Sequence, residues 1–203
     1  MRCTMKYLFV LVISYCSMIF NSLQAKSYNV DDFGAINDGK TINTDAIQKA
    51  IDECTKNGGG TVILSGGGKY VSGTIYLKDF VTLCIDNGTT LLGSPNIDDY
   101  TTDTHKNMYK NEPHMDRCFI FAKDAKSIAI EGYGTIDGNG FPVNFPKTRP
   151  MLLRFLNCSN IHLADVNMIN PAAWTSAWLY CDDITVTGVK IYSRVNGNGD
   201  GLD

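Results

Sequence analysis

Cys158-Ser159-Asn160-Ile161-His162-Leu163-Ala164-Asp165-Val166-Asn167-Met168 and Cys181-Asp182-Asp183-Ile184-Thr185-Val186-Thr187-Gly188-Val189-Lys190-Ile191 read as two copies of one unit. Ile161, Leu163, Val166 and Met168 become Ile184, Val186, Val189 and Ile191, each step is 23 residues, and Cys158 to Cys181 keeps that offset. Within a copy the apolar residues fall two, then three, then two apart, which is strand alternation broken by a short bend. A fixed period in the low twenties made of short strands is the signature of a solenoid, here a β-helix. Two unrelated hairpin strands in a sandwich are the alternative, which gives no reason for four matched positions and a matched cysteine. Like residues should therefore stack at the inter-strand spacing of roughly 4.8 Å. Four inward aliphatics per coil, at about 1.5–3 kcal/mol each, supply the axial core, and His162 points outward between two of them.

The rest of the chain is consistent with one domain of this kind. The 203 residues are 44% hydrophobic and 19% charged, a globular composition, and 19 glycines suit a fold with many turns. The formal charge is −3, and residues 1–25 carry only Arg2 and Lys6, so the remainder is at −5. That mild acidity gives no electrostatic reason to expect nucleic acid or an anionic membrane as partner. The glycine triplets at 58–60 and 66–68 lack the lysine or following helix of a phosphate-binding loop.

Residues 1–25 read as a secretory signal: a basic start, an apolar run from Tyr7 to Phe20, and Leu23-Gln24-Ala25 as a cleavage site. Export to the periplasm or the exterior is expected, with no membrane association after removal of the signal. Five cysteines then remain, Cys54, Cys84, Cys118, Cys158 and Cys181, an odd number that excludes a fully paired framework within the chain. Stacked Cys158 and Cys181 have parallel side chains, so free thiols are expected. No metal spacing is present, and no metal or cofactor is expected.

In chain order, Tyr28-Asn29-Val30 is a short strand and 31–35 a turn. Asn43 to Lys56 is the one helix: Ile47, Ala50, Ile51 and Cys54 make an apolar face, Asn43 or Thr44 caps it, and Gly58 ends it. It is read as a lid on the open end of the β-helix; a helix packed on a sheet in an α+β domain is the alternative. Strands follow at 61–64, 70–71, 74–77, 81–85 and 90–93, separated by turn residues. Residues 96–117, with His105 and His114, form a polar excursion of the kind that walls a groove; the histidines are read as surface groups. Ser127-Ile128-Ala129-Ile130 lies 33 residues before Asn160-Ile161-His162-Leu163, and the ten extra residues fall in a loop at 139–150.

These residues resemble glycoside hydrolase family 28, the polygalacturonase-type pectinases, in a bacterial form. The resemblance runs from about Tyr28 to Asp203. It is carried by Asn29-Val30-Asp31-Asp32-Phe33-Gly34-Ala35, Gly73-Thr74-Ile75-Tyr76-Leu77-Lys78 and Gly88-Thr89-Thr90-Leu91-Leu92-Gly93-Ser94. Gly132-Tyr133-Gly134-Thr135-Ile136-Asp137-Gly138, Arg149-Pro150 and Asn170-Pro171-Ala172-Ala173-Trp174-Thr175 add to it. The most specific match is Asn198-Gly199-Asp200-Gly201-Leu202-Asp203, similar to the family's Asn-Thr-Asp-Gly-x-Asp motif with glycine in place of threonine.

The fold class expected is all-β, a right-handed parallel β-helix with an N-terminal amphipathic capping helix, truncated at its C-terminal end. Residues 26–203 would be the N-terminal part of one pectin-lyase-like domain. The resemblance implies hydrolysis of α-1,4-galacturonosyl linkages by an inverting mechanism, with a pectic polysaccharide or oligogalacturonide as partner and a monomer at full length. Inversion needs two carboxyl groups roughly 6.5–9.5 Å apart, one protonating the leaving oxygen and one activating water. Asp200 corresponds to a carboxylate that holds the attacking water, Asn198 and Asp203 support the motif, and Trp174 is a candidate sugar platform. Trp178 is equally open as platform or packing. The acid comes, in the family, from an aspartate pair one coil later, which would lie beyond residue 203. Asp182-Asp183 precedes the motif and sits in a turn, so it is not that pair; Asp165 and Asp137 are likewise read as turn residues. A rhamnogalacturonan hydrolase, a calcium-dependent pectate lyase, or a non-catalytic carbohydrate-binding β-helix are the alternatives.

Overall fold

The computed structural model describes residues 26–104, 116–197 and 199–202. The signal at 1–25, His105, His114, Asn198 and Asp203 lie outside the described residues. The chain opens with β1 (Ser27–Asn29), a 3-10 turn (Val30–Phe33), β2 (Asp38–Ile42) and α1 (Thr44–Lys56). Coils then follow one another. The first holds β3 (Gly60–Leu64), β4 (Lys69–Ser72) and β5 (Ile75–Leu77). The second holds β6 (Val81–Ile85), β7 (Thr90–Gly93) and β8 (Cys118–Lys123), and the third β9 (Lys126–Glu131), β10 (Thr135–Asp137) and β11 (Met151–Leu156). After them come β12 (Ser159–Ala164), β13 (Asn167–Ile169) and β14 (Ser176–Leu179), then β15 (Asp182–Thr187) and β16 (Lys190–Tyr192).

The strands stack into three parallel sheets, ordered β1-β3-β6-β9-β12-β15, β2-β4-β7-β10-β13-β16 and β5-β8-β11-β14. The result is a right-handed parallel β-helix. The 23-residue repeat is its coil: Ile161 pairs with Ile184, Leu163 with Val186 and Met168 with Ile191. The N–H of Lys190 donates to the carbonyl of Val166 at 3.1 Å, so Val189 follows Val166 along the axis. The 33-residue offset is equally in register, with Ile128 beside Ile161 and Ile130 beside Leu163. Val62, Leu83, Ile130 and Leu163 form one inward column, each at most 1% exposed, because alternate residues of a strand face the same way.

The third sheet escapes a reading by alternation. Met151–Leu156 is buried almost throughout, on both faces: Leu153 and Phe155 join the axial core, while Arg154 between them is buried on the opposite face. A strand covered on both sides shows no polar face, so its period is invisible. β2 also goes unseen in the sequence, since its five residues are largely exposed.

The helix is a lid, as its apolar face requires: Ile47, Ala50, Ile51 and Cys54 are all fully buried in the core. Neither expected cap residue caps it through its side chain. Asn43 accepts from the N–H of Ile36 at 2.7 Å and donates to carbonyls of Ile36 and Thr41, bracing the approach to the helix. The hydroxyl of Thr44 accepts from the N–H of Gly73 at 2.8 Å. The Thr44 hydroxyl thereby serves the coil beneath, whose edge groups need partners.

The turns explain the acids set aside above. Asp124, Asn157 and Tyr180, one per coil, have φ of +54°, +53° and +55°, and Ser127, Asn160 and Asp183 repeat this at +53°, +53° and +54°. Asn157 donates to the Asp124 carboxylate at 2.6 Å and Asn160 to the Ser127 hydroxyl at 3.0 Å, tying successive corners together. Asp182 and Asp183 lie in β15 and not in the turn before it, with Asp183 left-handed near the strand's start, a conformation small polar side chains tolerate best. Asp165 is left-handed as well, at φ +59°. Cys158 and Cys181 are unbridged, and each thiol hydrogen-bonds a backbone carbonyl, Leu156 and Leu179 among them.

Candidate functional site

Chain in excess of the coil accumulates at one corner, between the second and third sheets. Residues 94–104, 138–150, 170–175, 193–197 and 199–202 all follow a strand of the second sheet. Neighbouring loops bind one another there. Asn139 donates to the carbonyl of Gly93 at 3.0 Å, and the N–H of Gly140 to that of Asn170 at 2.8 Å. The ring of Tyr100 meets that of Phe145 edge-on at 6.0 Å. Asn196 donates to the carbonyls of Gly140 and, at 3.2 Å, Pro171. The corner is thus a continuous wall of stacked loops, and its outermost described layer carries Asp200.

Asp200 is exposed, while its backbone is anchored. The hydroxyl of Thr175, itself fully buried, donates to the Asp200 carbonyl, and the hydroxyl of Ser176 reaches the Gly201 carbonyl at 3.4 Å. Trp174 is the chain neighbour of Thr175 and sits half-buried against the outer apolar cluster of Cys118, Phe121, Met151, Ala173 and Ala177. Asp200 and Trp174 therefore belong to the same corner. Trp178 does not: it packs against the axial core, its ring 5.0 Å from that of Phe155 and its Nε1 donating to Ser176 at 2.9 Å. Asp137 accepts from the N–H of Asn139 at 2.9 Å and from the Asn170 side chain at 3.1 Å, a turn role.

Below Asp200 the outer face of the third sheet presents Tyr76, Phe121, Arg154 and Ala177 in one register column. Arg154 is 3% exposed, and its guanidinium donates to the Thr104 carbonyl at 2.9 Å, binding the long excursion down onto the sheet. The Tyr76 hydroxyl sits 2.5 Å from both the Asp103 carboxylate and the Thr101 hydroxyl. Burial and then the Asp103 carboxylate push the Tyr76 phenol up to about 12, and the same hydrogen bond holds Asp103 below the usual carboxylate range. Among the described residues no group of three or more His, Cys, Asp or Glu is arranged to hold a metal ion.

Sequence reasoning names Asp200 and Trp174, which the structure brings to one corner, and gives no sign of the contacts made there by Thr175, Ser176, Ser193 and Asn196. The strands repeat at 23 residues, whereas the contacts of this loop join 171 to 196, 175 to 200 and 176 to 201, each 25 apart. Two extra residues in the last turn shift the pairing, and no residue type announces the shift.

With this geometry in place, comparison with known proteins separates kinship from shape. Residues 27–201 match the family described as rhamnogalacturonase A/epimerase, pectate lyase-like. The chain belongs to that family. Among relatives of this pectate lyase-like chain, a Vitis vinifera protein named "Probable polygalacturonase" is 28% identical over 203 residues, covering 90% of this chain and 40% of that one. The exo-poly-alpha-D-galacturonosidase of Dickeya chrysanthemi is 37% identical over 123 residues, 57% of this chain and 20% of its own. The structure of the Yersinia enterocolitica family 28 exopolygalacturonase superposes with a TM-score of 0.75 at 28% identity, covering 88% of this chain and 41% of that one. These relatives bear out the resemblance to glycoside hydrolase family 28. The pectate lyase-like chain spans less than half the length of each of them.

Proposed function

We propose that residues 26–203 are the N-terminal part of the β-helix of an exported polygalacturonase-type glycosidase, delivered by a signal at 1–25. Its reaction is inverting hydrolysis of α-1,4-galacturonosyl linkages in polygalacturonate, with Asp200 as a carboxylate that holds the attacking water. The observation that carries this reading is the setting of Asp200: a solvent-facing carboxylate on a backbone fastened to a buried hydroxyl, at the corner where the stacked loops build a wall. Water activation asks for that combination, an acceptor open to solvent on a rigid support. The family pattern puts the acid one coil further on, and adjacent coils differ by about 4.8 Å, so a modest sideways offset meets the separation inversion requires. Trp174 would face the sugar beside it.

The test uses the complete gene product and polygalacturonate. Wild type should release reducing ends, with the inverted anomer formed first and no ultraviolet-absorbing unsaturated product; the 203-residue chain alone should be essentially inactive. Asp200→Asn should lower turnover on the order of 10²–10⁴-fold. Near-normal turnover in that variant would remove Asp200 from the reaction, and an unsaturated product would make the protein a lyase.

A further inference from the structure

We propose that Thr175 is a positioning residue for Asp200, and that Ser176 and Ser193 complete with it a clamp of three hydroxyls that fixes where the carboxylate points. This rests on the reading of Asp200 as the water-holding group. Three successive carbonyls, those of residues 199, 200 and 201, each accept a hydroxyl: Ser193 donates to Gly199, Thr175 to Asp200 and Ser176 to Gly201. Thr175 and Ser176 rise from the coil below and are fully buried, while Ser193 stands at the root of the loop itself. Peptide units are planar, so holding the units on both sides of one Cα leaves its side chain only its own rotamers. A carboxylate on a surface loop would otherwise move with that loop.

Gly199 and Ser193 form a matched pair within the clamp. A Cβ built at Gly199 would lie 2.0 Å from the Ser193 hydroxyl, and Gly199 is not among the residues with positive φ. Space and not backbone conformation sets this position: a side chain at 199 would have to push the Ser193 hydroxyl aside and so break its bond to the Gly199 carbonyl. The hydroxyl of Ser193 stands where a side chain at 199 would begin, so the motif position that lost its side chain keeps a hydroxyl beside it.

Two measurements test the clamp. In the complete gene product, Thr175→Val should lower kcat about 10- to 100-fold with KM little changed, the cost of a slightly misplaced catalytic group, and Thr175→Ser should restore it. In the 203-residue chain, amide hydrogen exchange at residues 199–202 should quicken in Thr175→Val and return to wild-type rates in Thr175→Ser. Should valine prevent folding, two other variants decide: Ser193→Ala, which removes only the hydroxyl on the Gly199 carbonyl, and Gly199→Thr, which displaces that hydroxyl, should each quicken exchange at 199–202. Wild-type kcat in a folded Thr175→Val, or unchanged exchange in that variant or in Ser193→Ala, would overturn the proposal. A wild-type enzyme with no hydrolase activity would instead sink the catalytic reading, and the exchange data would still decide whether the clamp exists.

Discussion

Gln48 on the capping helix behaves as a strand toward Tyr76: its Oε1 accepts from the Tyr76 N–H at 2.8 Å and its Nε2 donates to the Tyr76 carbonyl at 3.1 Å. Tyr76 lies in β5, the first strand of its sheet, whose outer edge has no strand beside it among the described residues. One amide side chain thus closes a sheet edge that would otherwise expose a template for pairing. Gln48→Leu keeps the bulk and removes both bonds, along with a third from Nε2 to the Asp52 carboxylate at 2.9 Å, so it should cost about 1–3 kcal/mol in urea unfolding. Gln48→Glu keeps an acceptor for the Tyr76 N–H but sets a second carboxylate against Asp52, to which Nε2 donates at 2.9 Å, and should unfold at least as early as the leucine variant. Equal midpoints for all three proteins would show that the lid works through its apolar face alone.

The stack itself is tested by a pair of neighbours. Val166 is fully buried beneath Val189, whereas His162 is exposed on the outside of β12. Val166→Asp buries an unpaired charge against the axis and should prevent folding or cost several kcal/mol. His162→Ala should stay within about 0.5 kcal/mol of wild type. Thermal melts in the opposite order would refute the inward placement.

Gly132 turns the third coil between the first and second sheets with φ +102°, and a Cβ there would fall 2.3 Å from the carbonyl oxygen of Ile85. Gly132→Ala meets both a strained backbone and a backbone collision, so it should destabilise by at least about 1–3 kcal/mol. Gly197→Ala, with nothing within 4 Å and no positive φ, should be nearly silent. Differential scanning calorimetry of the two variants checks the contrast.

Acid should weaken the fastening of the 94–104 excursion. The Tyr76 hydroxyl, then that of Thr101, holds the Asp103 carboxyl below its usual range. A folded-state pKa lower than the unfolded one adds stability above the unfolded value and gives it up as pH falls through the folded one. Wild type should therefore be more stable than Asp103→Asn near neutrality, with the gap closing as pH drops below about 4. A gap that persists in acid would mean the carboxylate charge is not what matters. Asp38, lowered by the N–H groups of Thr41 and Lys40, shares the same sign.

The repeat of four aliphatics at a fixed 23-residue step determined the parallel stack, because a strand that hides one face must alternate and a coil that hides an axis must repeat. The glycine and asparagine corners and the single amphipathic helix were legible for the same local reason, a backbone angle or a face written in consecutive residues. The doubly covered strand Met151–Leu156 left no such trace, since burial on both sides erases alternation. Nor could the chain alone reveal that Gln48 closes the edge at Tyr76, or that Thr175 grips the carbonyl of Asp200. Those pairings join residues 28 and 25 apart, and the second runs out of step with the coil. Only the packed structure decides them, because a backbone group finds its partner by position in space, and position depends on how many residues each loop inserts before the next coil begins.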